Sequence, residues 1–230
     1  MMTQNEEKYS SNLAITFIGF TDYLVLEFLT AVIQDFKNSK NIDFLFVQSK
    51  DAGDKKDVVL KIKSNSIAKI KSNWPGKDIK EEYVENIYDF TNYLNIFKKY
   101  SNIQNLILNV SSGPYAYTSA ASIFGLMHGS IIYYNILTAT KTTFFRPINT
   151  KPLKYILNLI PIDREIINIL KDKKTCTVNE LYILMNQNGI KSTTRNIQYR
   201  LNELYLEGIV LKSGKKSTLY YLNDFIKTLL

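Results

Sequence analysis

Residues 105–136, NLILNVSSGPYAYTSAASIFGLMHGSIIYYNI, decide the fold. They open on Asn105 to Val110, a short apolar run with the length and side chains of a buried strand. Ser111, Ser112, Gly113 and Pro114 end it. A small-residue helix, Tyr115 to His128, follows, and Ser130 to Ile136 is the next strand. Two apolar strands joined by a helix make a βαβ unit, in which the strands run parallel. The same order is written near the start of the chain. Leu13 to Ile18 (LAITFI) ends at Gly19. Asp22 to Phe36 then carries Leu24, Val25, Phe28, Leu29, Val32, Ile33 and Phe36 at helical spacing, with Thr21 or Asp22 as N-cap. Asp43 to Gln48 (DFLFVQ) is a further strand. Strands that are apolar throughout are covered on both faces. The expectation is an α/β Rossmann-like doubly wound sheet, mainly parallel.

The segments between are less sharply written. Lys50 to Lys77 is read as a short helix and an edge strand. Ile79 to Tyr100 is read as an amphipathic helix with Tyr83, Ile87, Phe90, Leu94 and Phe97 on one face. Phe145 to Pro161 holds Pro147, Pro152 and Pro161 and reads as a linker, with a short helix around Leu153 to Leu159. Beyond it the pattern changes. Asp163 caps a helix running to Leu170, and Thr177 caps another over Val178 to Asn186 that stops at Gly189. Ser192 or Thr193 caps a third, which ends at Gly208. Ile209 to Leu211 and Thr218 to Leu222 flank Ser213-Gly214-Lys215-Lys216 as a hairpin, and Asp224 to Leu230 is a short closing helix. Three helices and a hairpin predict an α+β winged helix-turn-helix domain. The expected organisation is a sensing domain over 1–146, a linker over 147–161 and a winged helix-turn-helix over 162–230.

Composition narrows the function. The 230 residues are 45% hydrophobic and 22% charged, which excludes a disordered or fibrous chain. One cysteine, Cys176, excludes an internal disulfide framework and a CxxC zinc site, and it fits a reducing cytoplasm. No run of about 18 apolar residues spans a membrane, and the polar stretch Met1 to Ser10, with Glu6 and Glu7, is not a signal peptide. The net charge is +8. Of the 29 basic residues 25 are lysines, as an AT-rich coding bias gives, so the four arginines are the more telling. Lys151 to Leu230 carries 13 basic and 7 acidic residues, most of the excess. A basic C-terminal module suits nucleic acid.

Two sets of residues could carry function. In the third helix of that module Ile197, Leu201, Leu204 and Tyr205 bury one face, leaving Thr193, Thr194, Arg195, Gln198, Tyr199 and Asn202 free. Arg suits guanine, Gln suits adenine, and Thr suits phosphate or the thymine methyl. Lys215 and Lys216 at the hairpin tip would reach phosphate. The candidate DNA-binding set is Ser192, Thr193, Thr194, Arg195, Gln198, Tyr199, Lys215 and Lys216; the plainer alternative is a winged helix that binds protein. The second set is the turn Asn109-Val110-Ser111-Ser112-Gly113-Pro114, which feeds a helix N-terminus whose N–H groups and dipole attract anions. The hydroxyls of Ser111 and Ser112 add donors, and Gly113 lets a ligand approach. Gly19-Phe20-Thr21-Asp22 lies at the equivalent end of another strand, where open α/β sheets bind ligands. Neither GxxxxGK[ST] nor GxGxxG occurs. His128, the one histidine, is about three helical turns from the Ser/Gly turn and is read as a core or interface residue. Cys176 is read as a packing residue.

The strand and NVSSGP turn, the helix Ala116 to His128, the IIYYNI strand and the early Gly19-Phe20 resemble the CRISPR-associated Rossmann-fold (CARF) family. With the C-terminal winged helix, nearly the whole chain is similar to archaeal CARF–winged-helix transcriptional regulators. The resemblance implies a cytoplasmic homodimer that binds one cyclic oligoadenylate across its two-fold axis and double-stranded DNA through its winged helices. No catalytic residue, metal or cofactor is expected. By motif position Gly19, Phe20 and Thr21 would line one wall, while Asn109, Ser111, Ser112, Gly113, Pro114 and Tyr115 would cradle phosphate and ribose. Phe20, Tyr115 and Tyr117 are the rings on which bases could stack. Many relatives carry a basic residue soon after the Ser/Gly turn; Pro114-Tyr115-Ala116-Tyr117 stands there instead. A ring nuclease that cleaves the cyclic oligoadenylate is the alternative, though a phosphodiester-cleaving site wants an acid or base near the turn. The Ala- and Ser-rich helix after the turn is the expected dimer contact.

Overall fold

The computed structural model describes residues 12–39, 41–137, 143–214 and 217–229. The chain divides into two units, Met1–Thr150 and Lys151–Leu230. In the first, the order is β1 (Asn12–Phe17), α1 (Asp22–Phe36), β2 (Ile42–Ser49), a 3-10 turn (Gly53–Lys55), α2 (Lys56–Asn73), β3 (Ile79–Val84), α3 (Phe90–Lys99), β4 (Asn105–Asn109), α4 (Tyr115–His128), β5 (Ile131–Leu137) and β6 (Thr143–Asn149). The six strands form one sheet in the order β3-β2-β1-β4-β5-β6. All neighbours are parallel except β5 and β6. Successive residues of a strand face opposite sides. Leu13, Ile15 and Phe17 accordingly pack with Tyr93, Phe97, Tyr117 and Ala120 from α3 and α4. Ala14 and Ile18 pack with Val25, Phe28, Leu29 and Ile62 from α1 and α2. Helices on both faces of a mainly parallel sheet make this a Rossmann-like, doubly wound unit. The chain winds outward from β1 through β2 and β3, then returns to place β4 on the other side of β1. Ligands of open α/β sheets bind at that reversal, beyond the carboxyl ends of the strands.

Several elements differ from the sequence reading. The stretch read as one helix from Ile79 to Tyr100 is a strand and a shorter helix. Ile79 to Val84 pairs in parallel with Phe44 to Ser49, and its helical spacing is coincidental with the alternation of a strand. Lys80, Glu81 and Glu82 suit a sheet edge. Glu81 accepts from Lys63 Nζ at 2.6 Å and from Gln48 Nε2 at 2.9 Å. Burial raises its carboxyl, but Lys63, Tyr83 and Gln48 together outweigh that and hold it below the ordinary carboxylate range. Asp89 then caps α3 by accepting the Thr91 N–H at 2.9 Å. The short helix expected after Lys50 is α2, 18 residues long. Its many lysines hide a buried stripe of Val59, Ile62, Ser66 and Ile70.

The segment read as a linker is structured. Thr143 to Asn149 is β6, antiparallel to β5. Pro147 is tolerated because β6 lies at the sheet edge. Thr150 is buried, and its hydroxyl donates to the carbonyls of Gly125 and Ser130 at 2.7 and 2.8 Å.

The second unit begins with α5 (Lys151–Leu157), which Pro152 starts, and α6 (Pro161–Lys173). There follow α7 (Val178–Gln187), α8 (Thr194–Leu206), an antiparallel hairpin of β7 (Val210–Ser213) and β8 (Leu219–Leu222), and α9 (Asp224–Leu229). Ile166, Leu170, Leu181, Met185, Ile197, Leu201, Leu204, Val210 and Leu222 form its core. Cys176 joins Tyr220 in an isolated antiparallel bridge. Thr177 and Glu180 form the reciprocal capping box of α7. The backbone N–H and hydroxyl of Thr177 hold the Glu180 carboxyl below its ordinary value. Asp163 is not a cap: α6 starts two residues earlier, and Asp163 is buried. Tyr205 is also not part of the core; it is exposed, with Lys212 Nζ 4.1 Å from its ring centroid.

Candidate functional site

A cavity of about 240 Å³ opens where β1, β2 and β4 end. Phe17, Ile18, Gly19, Phe20 and Thr21 line it from β1, and Ser112, Gly113 and Pro114 from the turn after β4. The structure therefore brings together the two turns that the sequence singled out. It adds Ser49, Asp51 and Ala52 after β2, Val59 of α2 and Ile87 before α3. These five were missed, although β2 obeys the same rule as β1 and β4: the polar turn Ser49-Lys50-Asp51 follows an apolar parallel strand.

The Ser/Gly turn is held by its own side chains. Asn109 is fully buried. Its amide donates to Thr16 Oγ1 at 3.0 Å and to the Leu24 carbonyl at 3.2 Å, and its Oδ1 accepts the Ser111 N–H at 2.9 Å. Thr16 Oγ1 lies 3.0 Å from Ser112 Oγ. Ser111 Oγ accepts the Asn135 N–H at 2.8 Å. Asn109 and Ser111 thus shape the turn and do not line the cavity, whereas Ser112 reaches both. Gly113 has φ +97°, and a Cβ there would sit 2.7 Å from Phe17 Cβ. The close packing of β1 beneath it, with its positive φ, is sufficient to require glycine. Tyr117 is buried among Phe17, Tyr93 and Phe97, so it cannot stack on a base. Phe20 and Tyr115 are exposed rings, 51% and 87% accessible.

Two helix N-termini border the crevice. Neither Thr21 at α1 nor Pro114 at α4 makes a side-chain cap. They differ in charge. Asp22 is the first residue of α1 and takes the Tyr23 N–H at 2.7 Å, whereas the first turn of α4 has no acidic residue. The start of α4 is the end that favours an anion. Asp51 also lines the cavity, where its Oδ1 accepts the Gly53 N–H at 2.8 Å.

His128 lies at the far end of α4, which spans about 20 Å at 1.5 Å per residue. Its Nε2 donates to the Ser101 carbonyl at 2.9 Å, its Nδ1 is 3.1 Å from Ser130 Oγ, and its ring stacks on Phe124. It ties α4 to the segments that precede β4 and β5, at the end of the helix away from the cavity. Cys176 is buried, and burial with the nearby Glu180 raises its thiol. Among the described residues no three His, Cys, Asp or Glu groups converge as a metal site, and no helix is long and apolar enough to cross a membrane.

In the second unit α8 carries the other candidate set. Thr193 Oγ1 accepts the Asn196 N–H at 3.1 Å and caps the helix. Ser192 Oγ accepts from Asn196 Nδ2 at 3.1 Å. Gln198 Nε2 donates to the Tyr220 hydroxyl at 2.7 Å, tying α8 to the hairpin. These three side chains hold the helix in place. Thr194, Arg195 and Tyr199 remain exposed along it. Lys215 and Lys216 lie outside the described residues. Arg200, one of the four arginines that suggested nucleic acid, is structural instead. Its Nε donates to Asp163 Oδ1 at 2.7 Å, and its Nη2 donates to Asp163 Oδ2 and to the Tyr155 hydroxyl. Burial first, and then the Asp163 carboxylate, pushes the Tyr155 hydroxyl up to about 12, so it remains a donor.

No family model matches the chain, and no curated protein does. Solved structures similar to it include the following three. Can2 from Sulfobacillus thermosulfidooxidans, in complex with cyclic tetra-adenylate, shares 14% identity at a TM-score of 0.40, over 95% of this chain and 63% of its own. Enterococcus italicus Csm6, bound to cyclic hexa-2'-fluoro-hexa-dAMP, shares 13% at 0.43, over 87% and 55%. A Vibrio cholerae protein shares 9% at 0.42, over 95% and 64%. The chain spans less than two thirds of the length of each. Likeness of this depth does not carry a ligand from one protein to another.

Proposed function

We propose that this chain is a ligand-gated transcriptional regulator of the CARF–winged-helix kind, a cytoplasmic homodimer that senses a cyclic oligoadenylate and binds double-stranded DNA. The observation that carries the reading is the cavity at the sheet's winding reversal, where the Gly19–Thr21 and Ser112–Pro114 turns converge beside the acid-free start of α4. Uncapped N–H groups there suit a phosphodiester, and the exposed rings of Phe20 and Tyr115 suit adenine. Such a cavity is too small for a whole ring of nucleotides, since pockets that enclose drug-sized ligands run to about 300–1,000 Å³. A ring lying over the site and shared by two chains fits it better. The exposed stripe of Ile123, Leu126 and Met127 on α4 supports that pairing.

For the second unit, the order of three helices and a hairpin, the Thr193 cap and the exposed Thr194 and Arg195 support a winged helix-turn-helix whose α8 enters the major groove. Selection of bound duplexes from a random DNA pool tests this. The reading expects one enriched palindromic motif, lost with Arg195→Ala and shifted in affinity by cyclic oligoadenylate. Ligand recovered intact after incubation separates a sensor from a ring nuclease; linear products would establish the nuclease.

A further inference from the structure

We infer that Lys55, presented by the turn after β2, is the cation of this site, and that it rests on Phe20 until an anionic ligand takes it. The inference builds on the sensor reading above. Lys55 Nζ stands 4.7 Å from the centroid of the Phe20 ring, and Phe20 lines the cavity. The two side chains follow different strand ends, β1 and β2, and Lys55 flanks the cavity beside the lining residues Asp51 and Ala52.

The turn that presents Lys55 is fixed. Ser49 Oγ donates to the Asp51 carbonyl at 2.7 Å, Asp51 Oδ1 accepts the Gly53 N–H at 2.8 Å, and the Lys55 N–H donates to the Ala52 carbonyl at 3.1 Å. Asp51, Asp54 and Asp57 lie nearby in sequence, yet Lys55 forms no ion pair among the described residues. The nearest lysine before it is committed elsewhere, since Lys50 Nζ pairs with Glu85 Oε1 at 2.5 Å. An exposed cation on an aromatic face is held more weakly than one hydrogen-bonded to a phosphate oxygen. Lys55 can therefore leave the ring for a ligand at little cost. It would also offset Asp22 and Asp51, the two carboxylates that otherwise oppose an anion here.

The test titrates cyclic tri-, tetra- and hexa-adenylate into wild-type protein, Lys55→Met, Lys55→Arg and Lys56→Met, at two salt concentrations. Inorganic pyrophosphate is titrated in parallel while the lysine Cε resonances are followed by NMR. The expected result is an affinity about 10- to 100-fold lower in Lys55→Met, the range for losing a hydrogen bond to a charged group. The slope of log affinity against log salt falls by about one. Lys55→Arg retains binding, Lys56→Met matches wild type, and pyrophosphate moves Lys55 and not Lys56. If the rings bind wild type and Lys55→Met equally, the inference fails and the sensor reading stands. If no ring binds but pyrophosphate still moves Lys55, the ligand reading fails and the cation site stands. No response to either overturns both.

Discussion

Replacing Arg200 by methionine should destabilise the second unit strongly while leaving the first in place. Asp163 keeps 1% of its side chain accessible and Arg200 keeps 18%, so the pair is effectively inside the unit. The three side chains bond to one another: Arg200 donates to Asp163 and to Tyr155, and Tyr155 donates to Asp163 at 2.9 Å. Removing one member of a buried pair costs about 3–5 kcal/mol, because the other charge is left without a partner. At about 0.05–0.15 kcal/mol per residue, the unit from Lys151 to Leu230 has only about 4–12 kcal/mol to lose. For a domain of this size each kcal/mol is worth about 4–8 °C, so the midpoint should fall by about 12–40 °C. Two optical probes separate the units. The single tryptophan, Trp74, belongs to the first, whereas far-UV circular dichroism sees the helices of both. Arg200→Met should split the melt, with an early dichroic transition and an unchanged Trp74 fluorescence transition. The double variant Asp163→Leu/Arg200→Met should recover at least half of the loss, since an apolar pair of similar volume carries no stranded charge. A single variant within about 1 kcal/mol of wild type, or a double variant worse than the single, would refute the reasoning.

Gly113→Ala should destabilise the first unit by about 2–4 kcal/mol, through φ strain and the overlap with Phe17, in urea melts read at Trp74. A loss under about 0.5 kcal/mol would mean that the turn is loose. Glu81 has a folded-state pKa below its unfolded value, so its contribution is present above about pH 4.3 and is lost as pH falls through the folded value. The urea midpoint between pH 5 and 3 should accordingly fall less steeply for Glu81→Gln, and identical profiles would count against the Lys63–Glu81–Gln48 cluster. Native Cys176 should react with a thiol reagent far more slowly than the urea-unfolded chain, being buried with a raised pKa; equal rates would contradict that burial. Gln198→Ala should change DNA affinity less than Arg195→Ala does, because Gln198 is engaged with Tyr220. The opposite order in a gel-shift titration would place Gln198 on the bases.

Legibility followed the apolar strands. Leu13 to Ile18, Asp43 to Gln48 and Asn105 to Val110 were readable because strands buried on both faces need unbroken apolar runs. Ile79 to Val84 was not, since an edge strand with Lys80, Glu81 and Glu82 has no such run and its spacing also suits a helix. Prolines misled at the end of the first unit. Pro147 sits inside an edge strand, and Pro152 and Pro161 fall at the starts of helices, so all three breakers lie within regular elements. Of the candidate site, the backbone turns were legible and the side-chain duties were not. Asn109, Ser111 and Gln198 looked available for a ligand because hydrogen bonds to Leu24, Asn135 and Tyr220 join positions far apart in the chain. Arg200 looked like a surface cation for the same reason: its partner Asp163 lies 37 positions away.

Calorimetric titration of cyclic tri-, tetra- and hexa-adenylate into the wild-type protein, Phe20→Ala and Tyr115→Ala tests the central claim most directly. Both rings are exposed, so their removal leaves the core intact. The account predicts that one of the three rings binds wild type at one per two chains, and that each variant weakens it by about 1–3 kcal/mol, the worth of a base–aromatic stack. Failure of all three to bind, or binding that ignores both substitutions, would contradict it.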